Sequence, residues 1–347
     1  MTMLVLREYQ QRSLEALEAY LRMALQGAKM AFLHQLERPY RSVPALPELP
    51  YVCLRVPTGG GKTLMACHAL GMAAKELLQT EQAVCLWLVP TNTIRDQTLA
   101  ALRNRKHPYR QAVDAAFGGR VSVMDLTEAL YVQRGTLDGE TCIVVSTLQA
   151  FRVEETEGRK VYESSGSLQH HFSGLPAELE AMLERDDDGV IPFSLANVLR
   201  MRRLVVIMDE AHNARTPLSF DTLARFQPSC IIEFTATSAT EHKPEKQQFA
   251  SNILHHVSAA ELKSEDMIKL PIKLETRTDW NEVVADALAQ RQRLEDLAKE
   301  EERETGEYIR TVMLIQAQPK IKMKETLTVE VINGSFAKSI FRAQKLT

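Results

Sequence analysis

One octapeptide restricts this chain more than any other segment: Val56-Pro57-Thr58-Gly59-Gly60-Gly61-Lys62-Thr63, set between an apolar run and a helical pattern. Successive glycines let backbone N–H groups turn inward round a phosphate chain without Cβ clashes. The helix that follows adds the partial positive charge of its N-terminus. In that geometry Thr58, Gly59, Gly60 and Gly61 cradle phosphate, Lys62 reaches the β- and γ-phosphates, and the Thr63 hydroxyl ligates Mg²⁺. One departure stands in the pattern G-x-x-x-x-G-K-[ST]: its first position is Val56 rather than Gly.

A phosphate loop of this kind needs a second carboxylate for its metal, delivered by a neighbouring strand end. Leu204-Val205-Val206-Ile207-Met208-Asp209-Glu210-Ala211-His212 fits. The apolar strand carries Asp209 to the sheet edge, where it holds Mg²⁺ through water. Glu210 is then placed to orient or deprotonate an attacking water. Together the two motifs read as ATP hydrolysis, with Lys62, Asp209 and Glu210 as the catalytic set.

The rest of the chain alternates strand-like and helix-like patterns. Leu14, Leu17, Leu21 and Ala24 repeat at helical spacing from about residue 8, and Pro39, Pro44, Pro47 and Pro50 then break regular structure. Strands are expected at Tyr51–Val56, Ala83–Val89, Arg120–Met124, Thr141–Val145, Leu204–Met208 and Cys230–Phe234, with helices from Lys62 to Gln79 and through Arg95, Leu99 and Leu102. Residues 152–200 read as polar and irregular. Strands apolar on both faces and separated by helices argue for a parallel sheet covered on both sides, with its chemistry at the C-terminal edge. Beyond an extended connector from Met267 to Arg277, a charged helix carries Trp280, Val284 and Leu288 on one face. Ile309–Gln316 and Thr326–Ile332 then read as strands. Expected boundaries are 1–50 for a helix and Pro-rich linker, 51–275 for the ATP-binding domain, and 276–347 for a connector helix and the start of a second domain.

Composition narrows the setting. Of 347 residues 45% are hydrophobic, which excludes a disordered chain. A net charge of −3 excludes a wholesale basic nucleic-acid coat, though not a local groove. Of the five cysteines, Cys53, Cys85, Cys142 and Cys230 lie in or beside apolar runs and Cys67 in a helical pattern, without C-x-x-C spacing, so they read as reduced core thiols in a cytoplasmic protein. No apolar run spans a membrane. The pairs His170-His171 and His255-His256 lack metal-ligand spacing, so no structural metal is expected. Asp186-Asp187-Asp188-Gly189 reads as a solvated turn and Trp87 as core.

With both motifs present, the chain resembles superfamily 2 DEAD/DEAH-box helicases, and specifically the restriction (Res) subunit of type III restriction enzymes, over residues 4–318. Leu6-Arg7-Glu8-Tyr9-Gln10 resembles the upstream glutamine motif, which implies that Gln10 reads the adenine edge. Leu88-Val89-Pro90-Thr91-Asn92-Thr93-Ile94-Arg95-Asp96-Gln97 is similar to motif Ia, and Val145-Ser146-Thr147-Leu148-Gln149-Ala150-Phe151 to the next DNA-side motif. The resemblance thus implies DNA contacts at Pro90, Thr91, Asn92, Arg95, Ser146 and Thr147. Phe234-Thr235-Ala236-Thr237 matches motif III, so Thr235, Ala236 and Thr237, with His212, would couple the nucleotide and DNA sites. Ser238 stands where proline often follows, leaving Ser238-Ala239-Thr240 as a second candidate triplet.

The resemblance implies a RecA-like fold with helices on both faces of its sheet and ATP lying between two such domains. It also implies sequence-independent DNA tracking and a modification methyltransferase subunit as partner. About 40 residues follow Ile309, against ~100–150 for a typical domain. The second RecA-like domain therefore reads as an opening cut short, without the arginine-finger motif or a nuclease. An arginine finger is worth ~10³–10⁵ in rate, so the chain alone is expected to bind Mg·ATP weakly and hydrolyse it very slowly. Two other readings stay open: an inactive fragment or relic that at most binds nucleotide, and a P-loop protein of another kind. The second would need an N-K-x-D or L-S-G-G-Q-like segment, and the chain contains neither.

Overall fold

Strands that are apolar at every position need cover on both faces, and the chain supplies it by returning through a helix after almost every strand. The computed structural model describes residues 4–151, 160–210, 216–238, 250–267, 275–318 and 326–333. The chain divides into two units, Met1–Leu270 and Pro271–Thr347.

The first unit opens with α1 (Glu8–Ala24) and α2 (Ala28–Leu36), then β1 (Tyr51–Arg55) and α3 (Lys62–Met72), which continues as a π-helical turn over Ala73–Leu78. Next come β2 (Val84–Val89), α4 (Asn92–Arg103), α5 (Pro108–Phe117), β3 (Val121–Asp125), the short helices α6 (Leu126–Ala129) and α7 (Arg134–Gly139), and β4 (Thr141–Thr147). After them stand α8 (Ala177–Ala181), α9 (Leu195–Arg200), β5 (Val205–Asp209), α10 (Pro217–Ala224), β6 (Cys230–Thr235), β7 (Ile253–His256) and α11 (Ala259–Ser264).

The seven strands form one sheet in the order β3-β4-β2-β5-β6-β1-β7, and every pairing is parallel. The fold is α/β and RecA-like. Alternation along each strand splits the core in two. Val52, Leu54, Cys85, Trp87, Ile143, Val145, Val205, Ile207, Ile232 and Phe234 enter the layer beneath α1, α3, α4 and α5. Tyr51, Leu86, Leu88, Val144, Val206, Met208 and Ile231 enter the opposite layer with α7, α9 and α10. All five cysteines are free and buried.

Three differences from the sequence expectation have physical causes. Residues 160–200 are not simply irregular. They contain a 3₁₀ segment (Gly166–Phe172), α8 and α9, and bury Leu168, Leu195, Val198 and Leu199 over the second face of the sheet. Their short amphipathic turns are diluted by polar residues, so no long period shows. Ile309–Gln316 is not in a strand: Val312 and Leu314 are exposed, and no partner strand lies alongside among the described residues. An apolar run suits a strand, but a strand also needs a neighbour to bond. Thr326–Ile332 is likewise no strand, since residues 329–333 form a helical turn, with Ile332 N–H bonded to Thr328. In the second unit the expected charged helix is α12 (Trp280–Thr305), capped by Asp279 and closed by Gly306 at φ +76°. No helix among the described residues is long and apolar enough to cross a membrane.

Candidate functional site

β1 and β5 are not neighbours; β6 lies between them. Their C-terminal ends therefore hold a gap one strand wide, and the phosphate loop and the acidic motif face each other across it. Val56 N–H bonds the Thr235 carbonyl of β6 at 3.0 Å, which ties the first residue of the loop to the Thr235-Ala236-Thr237 segment. The Val56 departure is absorbed by the core: its side chain is fully buried. A Cβ on Gly60 would lie 2.5 Å from Val56 Cγ1, so Gly60 stays small where the two meet. Thr58 and Gly59 form the exposed tip of the loop. Gly59 (φ +87°) and Gly61 (φ +74°) both need the left-handed region that glycine adopts without cost.

Lys62 and Thr63 open α3 and each meets one acidic residue. Lys62 Nζ lies 2.7 Å from Glu210 Oε1 and 3.4 Å from the Val56 carbonyl. The Thr63 hydroxyl donates to Asp209 Oδ2 at 2.8 Å. Asp209 is the last residue of β5, only 5% exposed. Burial pushes its carboxyl up to about 6; the Thr63 hydrogen bond and Lys62 oppose the rise and Glu210 adds to it. Glu210 leaves the strand with φ +60°, an uncommon conformation for a residue with a Cβ. Its N–H bonds the Phe234 carbonyl at 2.8 Å, and this turn accompanies the return of its carboxylate to Lys62. A hydroxyl and a buried carboxylate 2.8 Å apart form an oxygen donor set suited to a hard cation such as Mg²⁺.

Gln10 lies against the loop rather than in open solvent. Its Nε2 donates to the Gly60 carbonyl at 3.1 Å and its Oε1 accepts the Arg7 N–H at 2.9 Å. Beside it opens a cleft of about 820 Å³ lined by Leu6, Arg7, Gln10, Gly61, His107 and Tyr109. His107 and Tyr109 were not anticipated from sequence. The available signal was local: His107 caps α5 with Pro108 at its first position, a helix start at the edge that bears the loops. Burial, with Cys67 and Asp209 nearby, raises the Tyr109 phenol, and contact with the Thr63 side chain opposes the rise.

The expected DNA-side residues emerge from neighbouring strands, since Val89 of β2 stands opposite Thr147 of β4. Thr91 caps α4 by accepting the Ile94 N–H at 3.3 Å, and Thr91 and Asn92 are exposed beyond Pro90. Arg95 pairs with Asp96 at 2.8 Å. Ser146 and Thr147 are buried, and the Ser146 hydroxyl bonds the Thr147 carbonyl, so in this conformation Ser146 offers no group at the surface. Thr235 is buried and its hydroxyl accepts the Thr237 N–H at 3.2 Å, with Ala236 between them. His212 lies outside the described residues, as do residues 213–215 and the Ala239-Thr240 half of the second triplet. His171 is buried against the Val132 carbonyl, and among the described residues no group of three His, Cys, Asp or Glu could hold a metal ion.

Residues 3–240 match the family described as "Type III restriction enzyme, res subunit". Among solved structures, the chain is similar to a nuclease-deletion mutant of the Type ISP restriction-modification enzyme LlaGI in complex with a DNA substrate mimic. Identity there is 12% over 87% of this chain and 24% of that one, with a TM-score of 0.40. It is also similar to the ATP-dependent Type ISP restriction-modification enzyme LlaBIII bound to DNA (13% identity, 76% of this chain, 16% of that one, TM-score 0.37). The DUF1998 helicase MrfA is a third (14% identity, 72% of this chain, 32% of that one, TM-score 0.30). The chain spans less than a third of each of these polypeptides. No curated protein matches it.

Proposed function

The chain belongs to the type III restriction enzyme res subunit family and carries a superfamily 2 helicase-type motor domain; from that premise we propose that the sheet edge described above binds Mg·ATP and hydrolyses it to drive movement along DNA. The observation that carries this reading is a pair of contacts across one gap: Lys62 to Glu210 at 2.7 Å and Thr63 to Asp209 at 2.8 Å. They join a phosphate-binding turn to two carboxylates of unlike surroundings, one buried at a strand end and one turned back from it.

In this reading the phosphate chain displaces Glu210 from Lys62, because a multiply charged phosphate outcompetes one carboxylate for the ammonium. Glu210, released, orients and deprotonates the attacking water. Thr63 and Asp209 would hold Mg²⁺, which supplies charge stabilisation at the β- and γ-phosphate oxygens. The Val56–Thr235 hydrogen bond gives the loop a direct mechanical link to the segment Thr235-Ala236-Thr237, for which we propose the coupling role, with His212.

DNA is proposed to lie along Pro90, Thr91, Asn92 and Arg95, where a hydroxyl, the α4 N-terminus and one cation suit phosphate contacts that carry no sequence information. A modification methyltransferase subunit is the proposed partner, and a cytoplasmic location goes with both.

Binding of a fluorescent ATP analogue, followed by phosphate release with and without duplex DNA, tests the reading. Lys62→Ala abolishes binding. Glu210→Gln keeps binding and lowers hydrolysis ~10²–10⁴-fold. Normal turnover by Glu210→Gln in a polypeptide that also carries a second motor domain would defeat the assignment of the base, and preference for GTP over ATP would point to another kind of P-loop protein.

A further inference from the structure

The carbonyl of Gly60 receives two side-chain donors from α1. The Tyr9 hydroxyl and Gln10 Nε2 each lie 3.1 Å from it, which occupies both lone pairs of that oxygen. Both donors are out of solvent: Tyr9 is fully buried and Gln10 is 2% exposed. Each is anchored in turn, Gln10 Oε1 by the Arg7 N–H at 2.9 Å and the Tyr9 N–H by Glu265 Oε1 at 3.3 Å. Gly61 is fitted to the same contact, since a Cβ there would lie 2.4 Å from Gln10 Nε2.

The Gly60 carbonyl shares a peptide plane with the Gly61 N–H. In a trans peptide the two point in opposite directions. Drawing the oxygen toward α1 therefore turns the Gly61 N–H away from α1 and into the phosphate loop. Three successive glycines leave that plane little intrinsic preference, because glycine populates several φ/ψ basins. An outside restraint is needed to keep it from flipping.

We propose that Tyr9, acting with Gln10, is a positioning residue that locks the Gly60–Gly61 peptide with its N–H presented to a polyphosphate chain. The proposal rests on the phosphate-loop reading above and adds to it what holds the loop ready: the glutamine side chain acts on the phosphate end of the nucleotide, and a tyrosine shares that task. The chemistry recognised is the phosphate chain, whatever base is attached. Tyr9→Phe keeps the ring in its core position and deletes one O–H. It should weaken Mg·ATP and Mg·tripolyphosphate by the same factor, about three- to tenfold, the worth of one neutral hydrogen bond.

Titration calorimetry of the full chain with both ligands reads this out. Gln10→Leu, which deletes the other donor, should weaken tripolyphosphate as well, and it decides the matter by the same comparison if Tyr9→Phe fails to fold. Loss of ATP affinity with tripolyphosphate unchanged would assign Tyr9 to the base cleft and overturn the lock, as would no change for either ligand. Binding by the wild-type chain that Lys62→Ala abolishes but these two variants leave intact overturns the lock alone. Failure of the wild-type chain to bind Mg·ATP overturns the phosphate-loop reading with it.

Discussion

Asp209→Asn should make the metal-free chain more stable above pH 6 and have a vanishing pH-dependent effect near pH 4. The carboxyl is buried at the end of β5 and its pKa rises from 3.8 to about 6. The folded state therefore holds this proton more tightly than the unfolded state. The associated stability is fully present below pH 3.8 and is lost as pH rises through 6. A rise of that size corresponds to about 3 kcal/mol between the two limits, and partial relaxation of the site brings the expectation to about 1–3 kcal/mol. Asparagine cannot ionise, yet its Oδ1 still accepts the Thr63 hydroxyl, so the hydrogen bond survives the change. Urea unfolding in EDTA, followed by Trp87 fluorescence on a Trp280→Phe background, isolates the sheet because Trp87 and Trp280 are the two tryptophans. The expected result is a gap between variant and wild type that widens by about 1–3 kcal/mol from pH 4 to pH 7.5. A gap that is flat across this range, whatever its offset, refutes the reasoning, because an offset alone reports packing.

Gly71→Ala sets two effects against each other: a Cβ would sit 2.6 Å from Ala116 Cβ between α3 and α5. Overpacking costs ~1–3 kcal/mol and the helix-propensity gain returns ~1, so a net loss of up to ~2 kcal/mol is expected in urea unfolding, and a gain would show that the helices part freely. Glu184→Ala should cost ~1–3 kcal/mol. It strips Arg225 of a two-point contact at 3.0 and 2.7 Å and Arg200 of one at 3.3 Å, where residues 160–200 meet α10; an unchanged unfolding midpoint would show that this cluster is not what anchors the segment. DNA binding should be equal for two unrelated duplexes, with log K falling linearly in log salt. Tight binding to one sequence, unmoved by salt, would exclude a tracking motor.

The phosphate loop and the acidic strand end were legible because each is local. Glycines that tolerate positive φ, a preceding apolar strand and a following helix specify the turn within a dozen residues. The same holds for β2, β4 and β5, whose apolar stretches Val84–Val89, Cys142–Val145 and Val205–Met208 are unbroken and short enough to read as strands covered on both faces. α2, α5, β7 and α11 escaped notice because they are short or their apolar positions are few. Ile309–Gln316 shows the converse failure, an apolar run without a neighbouring strand to bond among the described residues.

Residue chemistry and short-range sterics determined by themselves that this chain carries a glycine-rich turn between a strand and a helix of a parallel α/β sheet, with an aspartate and a glutamate at another strand's end. Only the tertiary structure decided that β6 stands between those two strands, that Glu210 turns back through φ +60° to meet Lys62, and that Tyr9 and Gln10 close on the Gly60 carbonyl. The physical reason is range. Backbone preference is settled among adjacent residues, whereas Tyr9 and Gly60 lie 51 positions apart and Thr63 and Asp209 lie 146 apart, so the order of strands in the sheet had to bring them together.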